Sequence, residues 1–262
     1  MNTEFFKAVG RHLVTLSCVQ YPSDDPPRKL LLFSGFIADI GGVWFYVTAG
    51  HILRDIRTAL NLGHKFDIWR LGDQTAGNKF NDTAIPYDFD IEKWTVVEDE
   101  EYGLDYAALP LGEMYCRLLH AGGVVPIGKE AWGDHLMEHD QWILVGVPSE
   151  SVIYDGKNVI VARPAMIPLK SVEAPEEAES KAQNQFYGLL HQDSELIVKD
   201  INGMSGGPIF ATAKVNDEMR YVVIGIQSGW YKNNRIIAAC PFTSLASALE
   251  ELVSSVLASH PT

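Results

Sequence analysis

Residues 203–208 of the 262-residue chain have the sequence GMSGGP, which is the most informative stretch of the sequence. Three glycines, a serine and a proline at fixed offsets are rare by chance at ordinary glycine and proline usage. A nucleophilic serine needs an exposed hydroxyl and backbone N–H groups directed at the oxyanion that forms during attack. Gly203 permits the unusual backbone turn that directs its own N–H and that of Ser205 the same way. The stretch therefore predicts a nucleophilic Ser205.

Two further segments supply the partners that such a serine requires. His51 follows the hydrophobic run VWFYVTAG at residues 43–50, and Asp105 begins the apolar run DYAALPL at residues 105–111. A serine hydroxyl is a poor nucleophile until a base takes its proton, and the imidazole needs a carboxylate that fixes its tautomer. Because the three residues occur together in the order His, Asp, Ser, the sequence favours nucleophilic catalysis over a glycine-rich turn without function.

The rest of the sequence predicts a mostly β chain with one helix at its end. Two β-rich runs, residues 30–40 and 43–48, flank Gly41-Gly42, which is typical of a hairpin. A second hairpin is predicted over residues 152–161. Beyond Thr243 the apolar residues recur with the spacing of an amphipathic helix: Leu245, Ala248, Leu249, Leu252, Val253, Val256 and Leu257.

Composition limits the function classes. The chain has 21 Lys+Arg against 34 Asp+Glu, a formal charge of −13, which disfavours a nucleic-acid partner because phosphates need clustered cations. Three distant cysteines, Cys18, Cys116 and Cys240, resemble neither a disulfide framework nor a zinc ribbon and predict reduced thiols. The chain contains no apolar stretch of membrane-spanning length and no secretory signal pattern, so we expect no membrane partner and a cytoplasmic location.

The three motifs together resemble the Thr-Ala-x-His, Asp-x-Ala-Leu and Gly-x-Ser-Gly-Gly-Pro signatures of trypsin-like, chymotrypsin-fold serine peptidases. Residues 34–53, SGFIADIGGVWFYVTAGHIL, resemble the bacterial branch that includes HtrA-type and glutamyl endopeptidases. The resemblance covers residues 10–258 and implies two six-stranded antiparallel barrels, at about residues 10–115 and 140–242, with a C-terminal helix at 243–258. The whole chain, residues 1–262, would then be a single peptidase unit.

The resemblance also implies roles for individual residues. Ser205 would be the nucleophile, His51 the general base and then acid, and Asp105 the carboxylate that orients the imidazole. The backbone N–H groups of Gly203 and Ser205 would form the oxyanion hole. No cofactor and no metal is implied. Candidate substrate-binding residues follow from the same alignment of motifs: Lys199, Asp200, Asn202, Ser228 and Gly229.

One position departs from the secreted trypsins. They carry an aspartate just before the nucleophile, which pairs with a newly cut N-terminal amine, whereas this chain has Met204. A thioether cannot form that ion pair. HtrA-type relatives also lack the aspartate, so the departure affects the expected mode of activation and not the expected activity.

Three alternatives remain open in the sequence. Gly203, Ser205 and Gly207 also satisfy the G-x-S-x-G elbow of α/β-hydrolases, but only His260 follows the serine as a base. His135, Glu138 and His139 match the H-x-x-E-H pattern of zinc peptidases, which requires a helix. A catalytically silent trypsin-fold binding or scaffold module is the non-enzymatic alternative.

The preferred interpretation is an intracellular serine endopeptidase that acts on protein or peptide substrates through an acyl-enzyme. An unregulated cytoplasmic protease would endanger its host, so we expect narrow specificity or gating by a regulatory protein. The acidic stretches at residues 98–101 and 173–179 are candidate regulatory loops.

Overall fold

The computed structural model describes residues 3–22, 28–72, 84–154, 160–215 and 218–259, and most of its regular structure is β. Strands form two units, one a seven-stranded sheet and the other a closed barrel of six strands. A C-terminal helix follows the barrel. The predicted fold class is therefore confirmed as mostly β, with one closed six-stranded barrel and a C-terminal helix, whereas the first unit is a seven-stranded sheet in place of the expected six-stranded barrel. In the described residues no helix combines the length and apolarity that crossing a membrane requires.

The first unit contains strands β1 to β7 and three helices. Its strands pair in the order β5-β4-β1-β2-β3-β7-β6, all antiparallel. Their bounds are β1 Leu13–Tyr21, β2 Lys29–Ile40, β3 Val43–Thr48, β4 Lys65–Gly72, β5 Ile85–Pro86, β6 Thr95–Asp99 and β7 Leu104–Pro110, and the helices are α1 Thr3–Gly10, α2 Gly50–Asn61 and α3 Glu113–Ala121.

The second unit contains strands β8 to β15 and helix α4. Six strands close the barrel in the order β11-β12-β15-β14-β13-β8, and β9 and β10 form a separate hairpin. Their bounds are β8 Gln141–Gly146, β9 Ile153–Tyr154, β10 Ile160–Val161, β11 Ala165–Val172, β12 Phe186–Leu190, β13 Pro208–Val215, β14 Glu218–Tyr231, β15 Ile236–Pro241 and α4 Phe242–Ser259. Short 3-10 helices lie at Ile91–Lys93, Lys129–Ala131, Ser149–Ser151, Glu176–Lys181 and Gln192–Leu196.

The hydrophobic core joins the two units. One buried cluster contains Phe36 of β2, Val145 of β8, Phe210 of β13 and Phe242 at the start of α4. Separate clusters fill the first sheet beneath α2 and the interior of the closed barrel. Burial of large apolar side chains is the main favourable term in folding, so the shared cluster fixes the units against each other. Residues at the boundary between the two units are therefore held in fixed positions relative to one another.

Both predicted hairpins are formed. β2 and β3 pair up to Ile40 opposite Val43, and the two turn residues Gly41 and Gly42 have φ of +61° and +83°. Left-handed backbone at two successive positions is the geometry that Gly-Gly supplies most readily. β9 pairs with β10 in the second hairpin, whose predicted turn lies outside the described residues. The predicted C-terminal helix is α4, which buries Leu245, Leu249 and Val253.

Candidate active site

The three predicted catalytic residues lie at the ends of secondary-structure elements. His51 is the second residue of α2, directly after β3, and Asp105 is the second residue of β7. β3 pairs with β7, with Thr48 opposite Ala107, so the pairing brings the two side chains together. Ser205 lies in the turn before β13 of the second unit. The structure therefore assembles the site from both units, across the cleft.

His51 and Asp105 form a close pair. The imidazole Nδ1 lies 2.7 Å from Asp105 Oδ2, and the backbone N–H of His51 donates to Oδ1 at 2.7 Å. The Ser228 hydroxyl donates to Oδ2 at 2.7 Å. Gly50 makes the approach possible, because a Cβ there would lie 3.1 Å from Asp105 Oδ1. These contacts leave the proton of His51 on Nδ1, so Nε2 is free to act as a base.

The pair perturbs both pKa values. Burial alone would lower the pKa of His51, but the hydrogen bond and negative charge of Asp105 outweigh it and raise that pKa above its ordinary value. Burial alone would raise the pKa of Asp105, but the bonds from His51 and Ser228 outweigh it and lower that pKa. Asp105 is therefore a carboxylate at neutral pH, as the orienting member of a triad must be.

The loop at residues 203–207 carries two backbone N–H groups without an acceptor. In the described part of the chain, no oxygen accepts from the N–H of Gly203 or of Ser205, while the other three N–H groups of the loop donate to backbone carbonyls at 2.8–2.9 Å. Gly203 has φ of +89°, which side-chain-bearing residues rarely adopt. Unpaired N–H groups on either side of one residue are the donors that an oxyanion hole requires.

Hydrogen bonds fix the peptide planes that carry these two N–H groups. In a planar trans peptide the N–H points opposite to the preceding carbonyl, so holding the carbonyl directs the N–H. The Asn202 carbonyl, which shares a peptide with the Gly203 N–H, accepts from the Ser149 backbone at 2.7 Å. The Met204 carbonyl, which shares a peptide with the Ser205 N–H, accepts from the N–H two residues beyond Ser205 at 2.9 Å. Both donors are therefore preset before any substrate binds.

The sequence analysis did not predict Ser34, which holds the peptide plane between residues 203 and 204. This plane lies between the two that carry the Gly203 and Ser205 N–H groups. The Ser34 hydroxyl donates to the Gly203 carbonyl and accepts from the Val147 backbone N–H, both at 2.9 Å, and its side chain is fully buried. Ser34 belongs to β2 of the first unit, whereas Gly203 and Val147 belong to the second. The only sequence signal is its place at the start of the Ser-Gly-Phe segment, residues 34–36.

Ser205 shares a cavity with His51. The cavity has a volume of about 230 Å³ and is also lined by Ser149, Gly203 and Phe33. In the part of the chain that the structure describes, the Ser205 hydroxyl has no hydrogen-bond partner within 3.5 Å. Catalytic hydrogen bonds are often long in ligand-free structures and tighten when substrate binds. The arrangement therefore leaves the hydroxyl exposed to a substrate beside its predicted base.

A second cavity of about 280 Å³ is lined by both His51 and Asp105. Two of the predicted substrate-binding residues, Ser228 and Gly229, line it. The acidic stretch at 98–101 contributes Glu98, Asp99 and Glu100 to the wall, together with Arg54. Arg54 lies 2.5 Å from Glu98 and 3.8 Å from Glu100. The predicted regulatory stretch therefore borders the candidate site.

The other three predicted substrate-binding residues do not line either cavity. Lys199 lines a larger cavity of about 790 Å³ beside Glu150, and its backbone N–H donates to that side chain at 2.8 Å. Asp200 forms an ion pair with Lys232 at 2.7 Å, and that bond lowers the pKa of Asp200. Asn202 is exposed. The roles of these three residues in substrate binding therefore stay predictions, and the charge of Asp200 is already paired with the Lys232 ammonium group.

The other catalytic motifs in the sequence do not have the structures that their chemistry needs. Residues 135–139 form a turn and not the helix of a zinc peptidase. His135 stacks on Phe186 with ring centroids 4.5 Å apart, and His139 Nε2 contacts the Asp134 carbonyl at 2.8 Å. The G-x-S-x-G elbow needs a helix after the serine, whereas Pro208 begins strand β13. His260 lies outside the described residues.

Of the comparisons with known proteins, only the one with solved structures finds similar proteins. No protein-family model and no curated protein matches the sequence. An inactivated protease paralogue of the scabies mite is 15% identical, with a TM-score of 0.52, over 95% of this chain and 96% of its own. The tobacco etch virus protease is 10% identical, with a TM-score of 0.48, over 94% and 80%. The Rv3671c protease of M. tuberculosis is 14% identical, with a TM-score of 0.42, over 92% and 80%. The fold is that of the chymotrypsin-like serine proteases.

Proposed function

We propose that the protein is a serine endopeptidase that cleaves protein substrates through an acyl-enzyme. The observation that carries the proposal is the hydrogen-bonded set of His51, Asp105 and Ser228 beside Ser205. Each member of the set has the partner that its role requires: a carboxylate on Nδ1 of the imidazole, and a hydroxyl that stabilises this carboxylate. A purely structural cleft has no need for such a set next to two N–H groups, of Gly203 and Ser205, that find no acceptor among the described residues.

The reaction follows from these positions. Ser205 Oγ attacks the carbonyl carbon of the scissile peptide while His51 Nε2 takes the hydroxyl proton. The carbonyl oxygen becomes an oxyanion that accepts from the Gly203 and Ser205 N–H groups. His51 then gives its proton to the leaving amine, and the C–N bond breaks to leave an ester on Ser205. A water molecule, deprotonated by His51, hydrolyses the ester and restores the serine.

Regulation and location are part of the same proposal. We expect narrow specificity or control by a partner protein, because the acidic stretch at 98–101 lines the same cavity as the His51–Asp105 pair, so a partner bound to this stretch would contact the candidate site. A cytoplasmic location is supported by three free cysteines, of which Cys18 and Cys240 are buried. Of the bacterial peptidase branches, the one with HtrA-type and glutamyl endopeptidases accounts best for Met204 and the Ser-Gly-Phe segment.

The test is covalent labelling of the folded chain with a fluorophosphonate, which reacts with activated serines. We expect phosphonylation of the wild type at Ser205 by peptide mass mapping, and no labelling of Ser205→Ala. The matched control is Ser171→Ala, an exposed serine of β11, which should be labelled as fast as the wild type. His51→Ala should be nearly unreactive towards the probe. In peptide hydrolysis the double variant should be little slower than either single variant, because the residues act as a unit.

A catalytically silent binding module is the second candidate. The observation in its favour is the absence, within the described residues, of a hydrogen bond from the Ser205 hydroxyl. If the wild type is folded by circular dichroism and is not labelled, the endopeptidase proposal is wrong and the binding module becomes the better interpretation. Labelling at a different serine would contradict the proposal equally.

A further inference from the structure

Gln185 contacts two groups that hold the triad carboxylate in place. Its amide Nε2 donates to the Gly103 carbonyl at 2.9 Å and to the Ser228 hydroxyl oxygen at 3.4 Å. The Ser228 hydroxyl in turn donates to Asp105 at 2.7 Å. The side chain of Gln185 is buried, so little water competes for these bonds. Gln185 directly precedes β12 of the second unit, whereas Gly103 and Asp105 belong to the first.

The hydrogen bonds of Gln185 have a consistent direction. The Gly103 carbonyl can only accept, so the atom that faces it must be the amide nitrogen, and the amide oxygen lies on the other side. There the Tyr187 hydroxyl donates to Gln185 Oε1 at 3.1 Å. The donors therefore follow one another from Tyr187 through Gln185 and Ser228 to the carboxylate of Asp105. Successive donors in one direction polarise each other, and the negative charge lies at the accepting end.

The turn before Asp105 packs directly against the Gln185 segment. Gly103 has φ of +74°, and a Cβ there would lie 2.7 Å from Lys181 Cβ and 3.0 Å from Gln185 Cδ. The Cys240 thiol lies 3.3 Å from the same Gly103 carbonyl. The backbone two residues before the triad carboxylate is therefore held from the second unit, and any shift of the Gln185 segment moves it.

We propose that Gln185 is a positioning residue, which holds Asp105 through Ser228 and through the Gly103 carbonyl and thereby keeps His51 aligned. The inference rests on the proposed function. It also gives a route for regulation, because Tyr187, whose hydroxyl donates to Gln185, packs in one buried cluster with Ala178 of the predicted regulatory stretch at 173–179. A partner that displaces this stretch would loosen the triad carboxylate without contact with the substrate.

The experiment compares Gln185→Met with Gln141→Met. Methionine keeps the volume but removes both the donor and the acceptor. Gln141 is the matched control, because it receives the same substitution at an exposed position of β8, outside both cavities at the His51–Asp105 pair. We expect the rate of fluorophosphonate labelling to fall about 10- to 100-fold in Gln185→Met, the loss that a small misalignment of catalytic groups causes. The control should stay within about twofold of the wild type.

A second measurement separates this inference from the proposed function. The Nδ1 proton of His51 is followed by NMR in a Ser205→Ala background, where no turnover occurs. Gln185→Met should move this resonance upfield, because the imidazole–carboxylate bond weakens, while Gln141→Met should leave it in place. An unchanged resonance together with an unchanged labelling rate would refute the role of Gln185, even if the wild type is an active protease. If the wild type is not labelled but the resonance moves, the proposed function fails and the positioning role stands.

A variant with a smaller perturbation covers the case in which Gln185→Met does not fold. Tyr187→Phe keeps the aromatic ring, whose centroid lies 6.3 Å from that of Tyr231, and removes only the hydroxyl that donates to Gln185. We expect a shift of the His51 Nδ1 resonance in the same upfield direction, of smaller size. A folded Tyr187→Phe with the wild-type resonance would contradict the directed chain of donors.

Discussion

Replacing Ser34 with alanine tests whether the two units together build the oxyanion hole. The change removes two bonds of 2.9 Å, one to the Gly203 carbonyl and one from the Val147 N–H, at a fully buried position. The net value of a hydrogen bond is roughly 0.5–1.5 kcal/mol, and a buried donor left unpaired costs about 1–3 kcal/mol. Together these terms lower the free energy of unfolding by about 2–4 kcal/mol. For a chain of this size the expected drop in Tm is roughly 5–15 °C.

The same change should slow the reaction of Ser205 with a fluorophosphonate. Complete loss of one oxyanion donor costs roughly 10²–10³-fold in rate. The Gly203 N–H keeps the indirect hold of Ser149 on its peptide plane, so we expect a smaller loss of about 10- to 100-fold. The assay is the labelling rate below the lower Tm, where both proteins are folded. Ser17→Ala, a buried serine on the adjacent strand β1, is the control. A Ser34→Ala protein that matches the control in Tm and labelling rate would refute the reasoning.

Three further predictions follow from His51, His12 and Met204. The rate of fluorophosphonate labelling should fall as the pH is lowered, with a midpoint above pH 6.5. His51 must be neutral to act as a base, and Asp105 raises the pKa of His51. A labelling rate that stays flat from pH 5 to 8 would contradict a histidine base. Burial lowers the pKa of His12 from 6.5 to about 4. As the pH falls, His12 is therefore protonated in the unfolded chain before it is protonated in the folded one. The free energy of unfolding should decrease between pH 6.5 and 4, by about 3 kcal/mol in all. Denaturant titrations should show this slope in the wild type and a flatter one in His12→Asn; equal slopes would exclude His12 as the cause. Met204 is fully buried among apolar side chains and cannot form an ion pair with an amine. The intact chain should therefore be labelled without N-terminal cleavage. Labelling that begins only after an N-terminal peptide is removed would contradict this prediction.

The sequence predicted the elements whose signals are local. The Gly41-Gly42 turn specifies the β2–β3 hairpin through backbone sterics alone, and the apolar spacing after Thr243 specifies α4. Strand β11 gave no clear signal, because Pro168 lies inside it and proline lacks the N–H of a central strand. Pro168 is accommodated because its pairing with β12 begins only at Leu169.

Helix α1 escaped prediction for a different reason. At eight residues it is too short to be stable alone, and its order comes from tertiary contacts. Val9 is fully buried in the shared core, and Phe5 packs edge-on against Tyr221 of β14 with ring centroids 6.0 Å apart. No local pattern in the first ten residues shows that β14 lies beside them.

In the candidate site too, some residues could be predicted from local motifs and others depend on tertiary contacts. The sequence motifs identify the residues proposed to perform chemistry, because a nucleophile, a base and a carboxylate restrict residue type strongly. The residues that hold them are not restricted in this way: Ser34 reaches Gly203 from 169 residues away, and Gln185 reaches Gly103 across 82 residues. A lone serine or glutamine has no spacing that marks it, so these contacts emerge only when the two units are docked.

The division of the site between two docked units has a consequence for synthesis of the chain. His51, Asp105 and Ser34 leave the ribosome with the first unit, while Ser205 and the strand that carries Ser228 follow about a hundred residues later. Domains fold as they emerge, the N-terminal part first. A nascent or truncated chain that has folded only its first unit would therefore hold a base without a nucleophile. Under the proposed function, proteolytic activity appears only in a finished molecule, which protects neighbouring nascent proteins from premature cleavage.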